Sequence, residues 1–201
     1  MKFLLGLALL LPLAASAAGP AKVLVMLGDS LTEGYGVAKE KAYPALLEKK
    51  LHAAGKSEWK VINSGVSGST SASAPSRLQW ALKSKPDAVF IALGANDGLR
   101  GIKPAATKEN LLKTIKAARE KNVRVFVAGM EMPPNYGEEY RAGFRKIFSE
   151  VAKAEKTEFM PFLLKDVGGI PSLNLDDGIH PNEAGHEKVA ENVFAFLKGK
   201  L

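Results

Sequence analysis

Apolar residues follow two alternating rhythms along this chain. Short stretches dense in Val, Leu, Ile, Phe and Met occur at 23–27, 59–62, 88–93, 123–129 and 157–162. Runs of this length, bounded by Gly, Pro or Asp, predict buried strands. Between them apolar residues recur at helical spacing. Tyr43, Leu46, Leu47, Leu51 and Ala54 form one such stripe, closed by Gly55. A further helix is expected over 75–83, broken by Pro86 and Asp87. Leu111, Leu112, Ile115 and Ala118 mark the next, and Tyr140, Phe144, Ile147, Phe148 and Val151 another. A last helix over 182–198 turns Val189, Val193, Phe196 and Leu197 inward. The segment 132–137 reads as a loop, because its consecutive prolines cannot enter a strand ladder.

Strand and helix therefore alternate from end to end. That pattern predicts an α/β fold, a sheet of about five parallel strands with helices on both faces. The glycine-rich polar segments come after strands, following Leu27, Ile62, Leu93 and Ala128. In a parallel sheet these loops share one edge, and open α/β sheets bind ligands there. With no repeat and no linker, residues 18–201 are expected to form one domain.

Composition narrows the function. Lys2, an apolar stretch over 3–13 and Ala15-Ser16-Ala17 have the pattern of a secretory signal peptide over 1–17, cut after 17 or 18. The protein is then expected in the periplasm or secreted. No cysteine stands at the junction to carry a lipid, and no later stretch is apolar enough to span a bilayer, so no stable membrane anchor is expected. The roughly 184 remaining residues suffice for a substantial core. The count of cysteines is 0, which excludes disulfides, a thiolate zinc site and a cysteine nucleophile. The net charge of +7 is spread over the polar sides of helices, with no basic run interleaved with aromatics, so nucleic acid is not an expected partner.

Candidate chemistry begins at Gly28-Asp29-Ser30-Leu31-Thr32, where Ser30 follows a buried strand. A serine nucleophile needs a base, and the chain has 3 histidines. His52 falls on the polar side of a helix and His186 inside the last one, where packing is the ordinary role. His180 precedes Pro181, which keeps it off helical geometry. Asp177 lies three residues earlier, placed to accept from one ring nitrogen and leave the other free for a hydroxyl proton. Asp176 is a rival for that acid role; the spacing favours Asp177. Donors for a developing oxyanion are available in the Ser30 N–H, the Gly68 N–H and the Asn96 side chain. Asp29 and Asp97 are expected to bond turn backbone.

Four blocks now stand in order: Gly-Asp-Ser-Leu at 28–31, Gly68, Gly-Ala-Asn-Asp at 94–97 and Asp-Gly-Ile-His-Pro at 177–181. Together they resemble the SGNH, or GDSL, hydrolase family, across essentially the whole chain after residue 17. The nearest likeness is to its small exported bacterial arylesterase, acyl-CoA thioesterase I and lysophospholipase L1 subgroup. The resemblance implies a flavodoxin-like three-layer α/β/α sandwich. It implies Ser30 as nucleophile, His180 as base and then acid, Asp177 as its partner, and no metal or cofactor. The implied activity is that of an exported, monomeric serine hydrolase, cleaving small-molecule or lipid acyl esters and thioesters through an acyl-enzyme. Leu99, Ile102, Pro133, Pro134, Tyr136, Ile170 and Leu173 are candidate walls of the acyl pocket. A carbohydrate O-deacetylase on the same scaffold is the alternative, and a non-catalytic lipid- or glycan-binding module is a third reading. The chain lacks the Gly-x-Ser-x-Gly elbow, the phosphate-binding loop motif and His-Glu-x-x-His.

Overall fold

The computed structural model describes residues 20–201. The expected signal peptide lies outside the described residues. In chain order the elements are β1 (Lys22–Gly28), α1 (Ser30–Glu33), α2 (Tyr43–Ala53), β2 (Trp59–Gly65), α3 (Ala74–Ala81), β3 (Ala88–Ala92), α4 (Ala95–Leu99), α5 (Pro104–Arg119), β4 (Arg124–Ala128), α6 (Glu138–Ala154), β5 (Glu158–Met160) and α7 (Glu183–Leu197).

The five strands pair in the order β2-β1-β3-β4-β5, and every pair is parallel. β3 is buried at all five positions, as a central strand covered on both faces must be. The chain leaves β1 in one direction along the sheet and continues from β3 in the other. Right-handed crossovers then place α2 on one face and α3, α5 and α6 on the opposite face. α7 returns to pack against α2. The result is the three-layer α/β/α sandwich, with its crevice outside the carboxyl ends of β1 and β3, where the winding reverses.

The register aligns that crevice. Gly28 at the end of β1 pairs with Gly65 of β2 and Ala92 of β3, so three loops start at one level. Small residues are needed there because α1 lies across the strand ends. A Cβ on Gly65 would fall 2.1 Å from the backbone nitrogen of Glu33, and one on Gly28 would fall 1.9 Å from Thr32 Oγ1.

Beyond shifts of a residue at strand ends, three segments differ from the sequence reading. β2 runs on through Asn63, Ser64 and Gly65, which pair with β1 despite their polarity. β5 stops at Met160, because Pro161 has no N–H to continue the ladder. The segment after β3 forms a short helix, α4, instead of an open loop.

Candidate active site

Ser30 is the first residue of α1. Asp29 caps that helix, its Oδ1 accepting the Leu31 N–H at 3.1 Å. This holds the Ser30 hydroxyl at the crevice floor, nearly buried at 9% exposure. His180 arrives from the other end of the chain, on a turn before α7. The Leu175 N–H donates to His180 O at 2.8 Å, and Gly178 takes φ +68° to close the bend. The ring then stands between two groups. Nε2 lies 2.9 Å from Ser30 Oγ, and Nδ1 lies 2.7 Å from Asp177 Oδ2.

Asp177 uses both carboxylate oxygens. Oδ1 accepts the backbone N–H groups of Ile179 and His180, each at 2.9 Å. Burial pushes its carboxyl up, but the bonds from the His180 N–H, the His180 ring and the Ile179 N–H outweigh burial. The net position is below the ordinary carboxylate range. An ionised carboxylate only accepts, so Nδ1 carries the ring proton and Nε2 presents a lone pair to the Ser30 hydroxyl. Asp176 makes no bond to the ring and lines a neighbouring cleft. The other two histidines stand elsewhere. His186 is buried in the α2–α7 interface, where Nδ1 accepts the Tyr43 N–H at 3.3 Å. Burial, then the His180 charge, push it down to about 4. His52 is exposed and bonds Trp59 O at 2.9 Å.

The loop carrying Gly68 is tied residue by residue. Glu33 Oε2 accepts the Ser67 N–H at 2.7 Å and the Ser67 hydroxyl as well. Arg100 donates to Gly68 O and the Asn96 amide to Ser69 O, both at 3.1 Å. Asp97 accepts the Ser71 N–H at 2.8 Å and the Ser71 and Thr107 hydroxyls at 2.5 and 3.0 Å. The Asp97 carboxylate thus bonds Ser71 and Thr107 where its own turn backbone was expected, and joins this loop to α5. Gly68 has φ +75°, a conformation that costs other residues strain. Asn96 spends one amide hydrogen on Ser69 and keeps a second for a ligand.

Asp29 is fully buried, and its Oδ2 has no hydrogen-bond partner among the described residues. Burial raises its carboxyl to about 7, against the Leu31 N–H bond and the charges of His180 and Arg77.

A mainly apolar cavity of about 310 Å³ is lined in part by Leu31, Ala95 and Ile179, the chain neighbours of Ser30, Asn96 and His180. Of the candidate wall residues, Leu99, Pro133 and Pro134 line it. The other four candidate wall residues do not. The Tyr136 hydroxyl donates to Leu99 O at 3.1 Å and its ring packs against Tyr140. Ile102 follows α4 with its N–H on Asp97 O. Ile170 faces a separate cleft with Leu175 and Asp176, and Leu173 packs on the core. The sequence reading missed Met130, Met132, Phe162 and Leu164. Their signal was positional: all four come just after the carboxyl ends of β4 and β5, where the crevice lies. Among the described residues no group of three or more His, Asp or Glu side chains is placed to hold a metal ion.

The GDSL-like lipase/acylhydrolase family profile matches residues 26–188. Esterase TesA of Pseudomonas aeruginosa is 40% identical over 182 residues, 90% of each chain. Thioesterase 1/protease 1/lysophospholipase L1 of Escherichia coli K12 is 35% identical over 184 residues, 91% of this chain and 86% of that one. A crystal structure of TesA superimposes with a TM-score of 0.86 at 39% identity, covering 90% of this chain and 100% of the other. The chain belongs to the GDSL-like lipase/acylhydrolase family, the family its four blocks resemble, and is an ester hydrolase.

Proposed function

We propose that this ester hydrolase cleaves acyl esters and thioesters through a covalent acyl-enzyme, with Ser30 as nucleophile. The observation that carries the reading is the continuous bonded chain Ser30–His180–Asp177, at 2.9 and 2.7 Å. Ser30 Oγ attacks the acyl carbon as its proton passes to His180 Nε2. Asp177 holds the tautomer and balances the imidazolium. The carbonyl electrons move onto oxygen, where the Ser30 N–H, the Gly68 N–H and the Asn96 amide are the donors. Collapse breaks the bond to the leaving alcohol or thiol, which takes the proton from Nε2. Water then repeats the cycle on the acyl-enzyme and regenerates the Ser30 hydroxyl.

The cavity running from Leu31 to Phe162 takes the acyl group. Its volume of about 310 Å³ lies at the small end of ligand sites, which suits a short or medium chain. Met130 and Met132 give it an adaptable wall. Export rests on Lys2, the apolar 3–13 stretch and Ala15-Ser16-Ala17. No helix among the described residues is long and apolar enough to cross a membrane.

Hydrolysis of p-nitrophenyl esters from acetate to palmitate tests the activity. The expected result is a maximum at short or medium chains, with no turnover by Ser30→Ala. Turnover of acetate alone would move the reading to a carbohydrate O-deacetylase. Equal inactivity of folded wild type and variant would leave a binding module.

A further inference from the structure

Tyr35 is a large aromatic residue left 52% exposed. The segment that holds it is built with care. α1 ends at Gly34, with φ +91°, and the Gly34 and Tyr35 N–H groups both donate to Ser30 O, at 3.0 and 3.1 Å. Gly36 follows with φ +80°, against Leu175; a Cβ there would meet Leu175 Cδ1 at 2.4 Å. Tyr35 therefore stands between two left-handed glycines, on the turn that closes the helix of Ser30. From there its ring lies on the imidazole of His180. The centroids are 4.6 Å apart and the planes are inclined at 41°.

No bond in the site's network uses the Tyr35 hydroxyl, so the ring itself makes the contact. An aromatic face attracts a cation within about 6 Å of its centroid. To accept the Ser30 proton His180 has to be neutral, and on taking it the ring becomes an imidazolium. The contact is thus stronger in the transition state than in the resting enzyme, and only such differential contacts speed the chemical step. The short helix delivers the nucleophile to Nε2, and the turn that closes it delivers an aromatic ring to the imidazole. Resting on the assignment of His180 as base, we infer that Tyr35 is a positioning residue for it, stabilising the imidazolium through its ring. Other ionisable groups facing His180 are Asp177 on its own turn, Asp29 at the cap of α1 and His186 on α7. They are common to all the variants below.

The test is the pH profile of kcat/KM on a soluble p-nitrophenyl ester for wild type, Tyr35→Phe and Tyr35→Leu. Tyr35→Phe keeps the ring and is expected to match wild type. Tyr35→Leu keeps bulk without the π face. It is expected to lose about two- to fivefold at the plateau, and its acid limb is expected to move down by about half a pH unit. An acid limb that stays put, or moves up, overturns the inference. An upward shift is what loss of a mere water shield gives, since exposure favours the charged ring. NMR titration of the His180 ring protons in the same proteins reads the shift without turnover, and the same downward displacement is expected. Activity retained by His180→Ala would show that the base assignment itself is wrong, and this inference falls with it. A normal His180 dependence with an unmoved Tyr35→Leu limb would sink this inference alone.

Discussion

The two edges of the sheet are built differently. At the amino edge the chain enters strands from helices. One residue in left-handed conformation there is a glycine, Gly55 after α2, and three others are Lys85, Asn122 and Lys156. The turns at Lys85, Asn122 and Lys156 close α3, α5 and α6, and Lys116 and Arg119 in the last turn of α5 and Lys153 in that of α6 offset the exposed carbonyl dipoles. At the carboxyl edge the left-handed positions at Gly34, Gly36, Gly68, Gly94 and Gly178 surround the crevice. Cavities of about 310 Å³ occur at both edges. The amino-edge cavity lies among Arg119, Arg124, Lys156 and Glu158. The other is lined by Leu31 and Ile179, the chain neighbours of Ser30 and His180. Size does not distinguish the two. What distinguishes them is that one edge has loops free to carry chemistry, while the other has turns that close helices.

Substitutions at both edges can break this contrast. The largest effect is expected at Ser30. Ser30→Ala should lower kcat by about 10⁴-fold or more, and Asp177→Asn by about 10²–10⁴, with unchanged circular dichroism. Next come the oxyanion donors. Asn96→Ala should cost about 10²–10³ in kcat with little change in KM. A loss confined to KM would mean that Asn96 binds ground state and transition state alike. At the amino edge, Lys156→Ala should leave kcat/KM within about twofold. A tenfold loss there would erase the distinction between the edges. Phe90, central in β3 and fully buried, belongs to neither edge. Phe90→Ala should cost about 3–5 kcal/mol in a denaturant titration.

The smallest effect is a matter of pH. The Asp29 carboxyl, raised to about 7, binds its proton more tightly in the fold than in the unfolded chain. Its contribution to stability therefore falls as pH rises from about 4 to about 7. His186, pushed down to about 4, acts the other way: its contribution is present above the ordinary histidine value and is lost as pH falls toward 4. The two slopes oppose each other across the same window. Asp29→Asn should unmask the His186 slope, making stability rise more steeply between about pH 4.5 and 6.5 than in wild type. Identical slopes for the two proteins would place Asp29 outside that titration.

Much of this was legible in the sequence because the fold repeats one rule. Buried strands are continuous apolar runs, so β1, β3 and β4 announced themselves, and the loops after strands had to converge. The His180–Asp177 pairing was legible because it is local, three residues across a glycine bend. Where long-range packing decides, the reading failed. Asn63, Ser64 and Gly65 are too polar to suggest a strand, and they pair only because β1 runs alongside. Tyr136 and Leu173 look like pocket walls by position, yet their neighbours turn them elsewhere. The tie from Glu33 to Ser67, spanning two elements, left no local mark at all.

The most direct measurement is the rate at which a serine-directed organophosphonate labels the protein, followed by intact mass and peptide mapping, in wild type and His180→Ala. The account predicts one adduct per chain, on Ser30, formed at least a hundredfold more slowly in the variant. Labelling elsewhere, or equal rates in the two proteins, would contradict it.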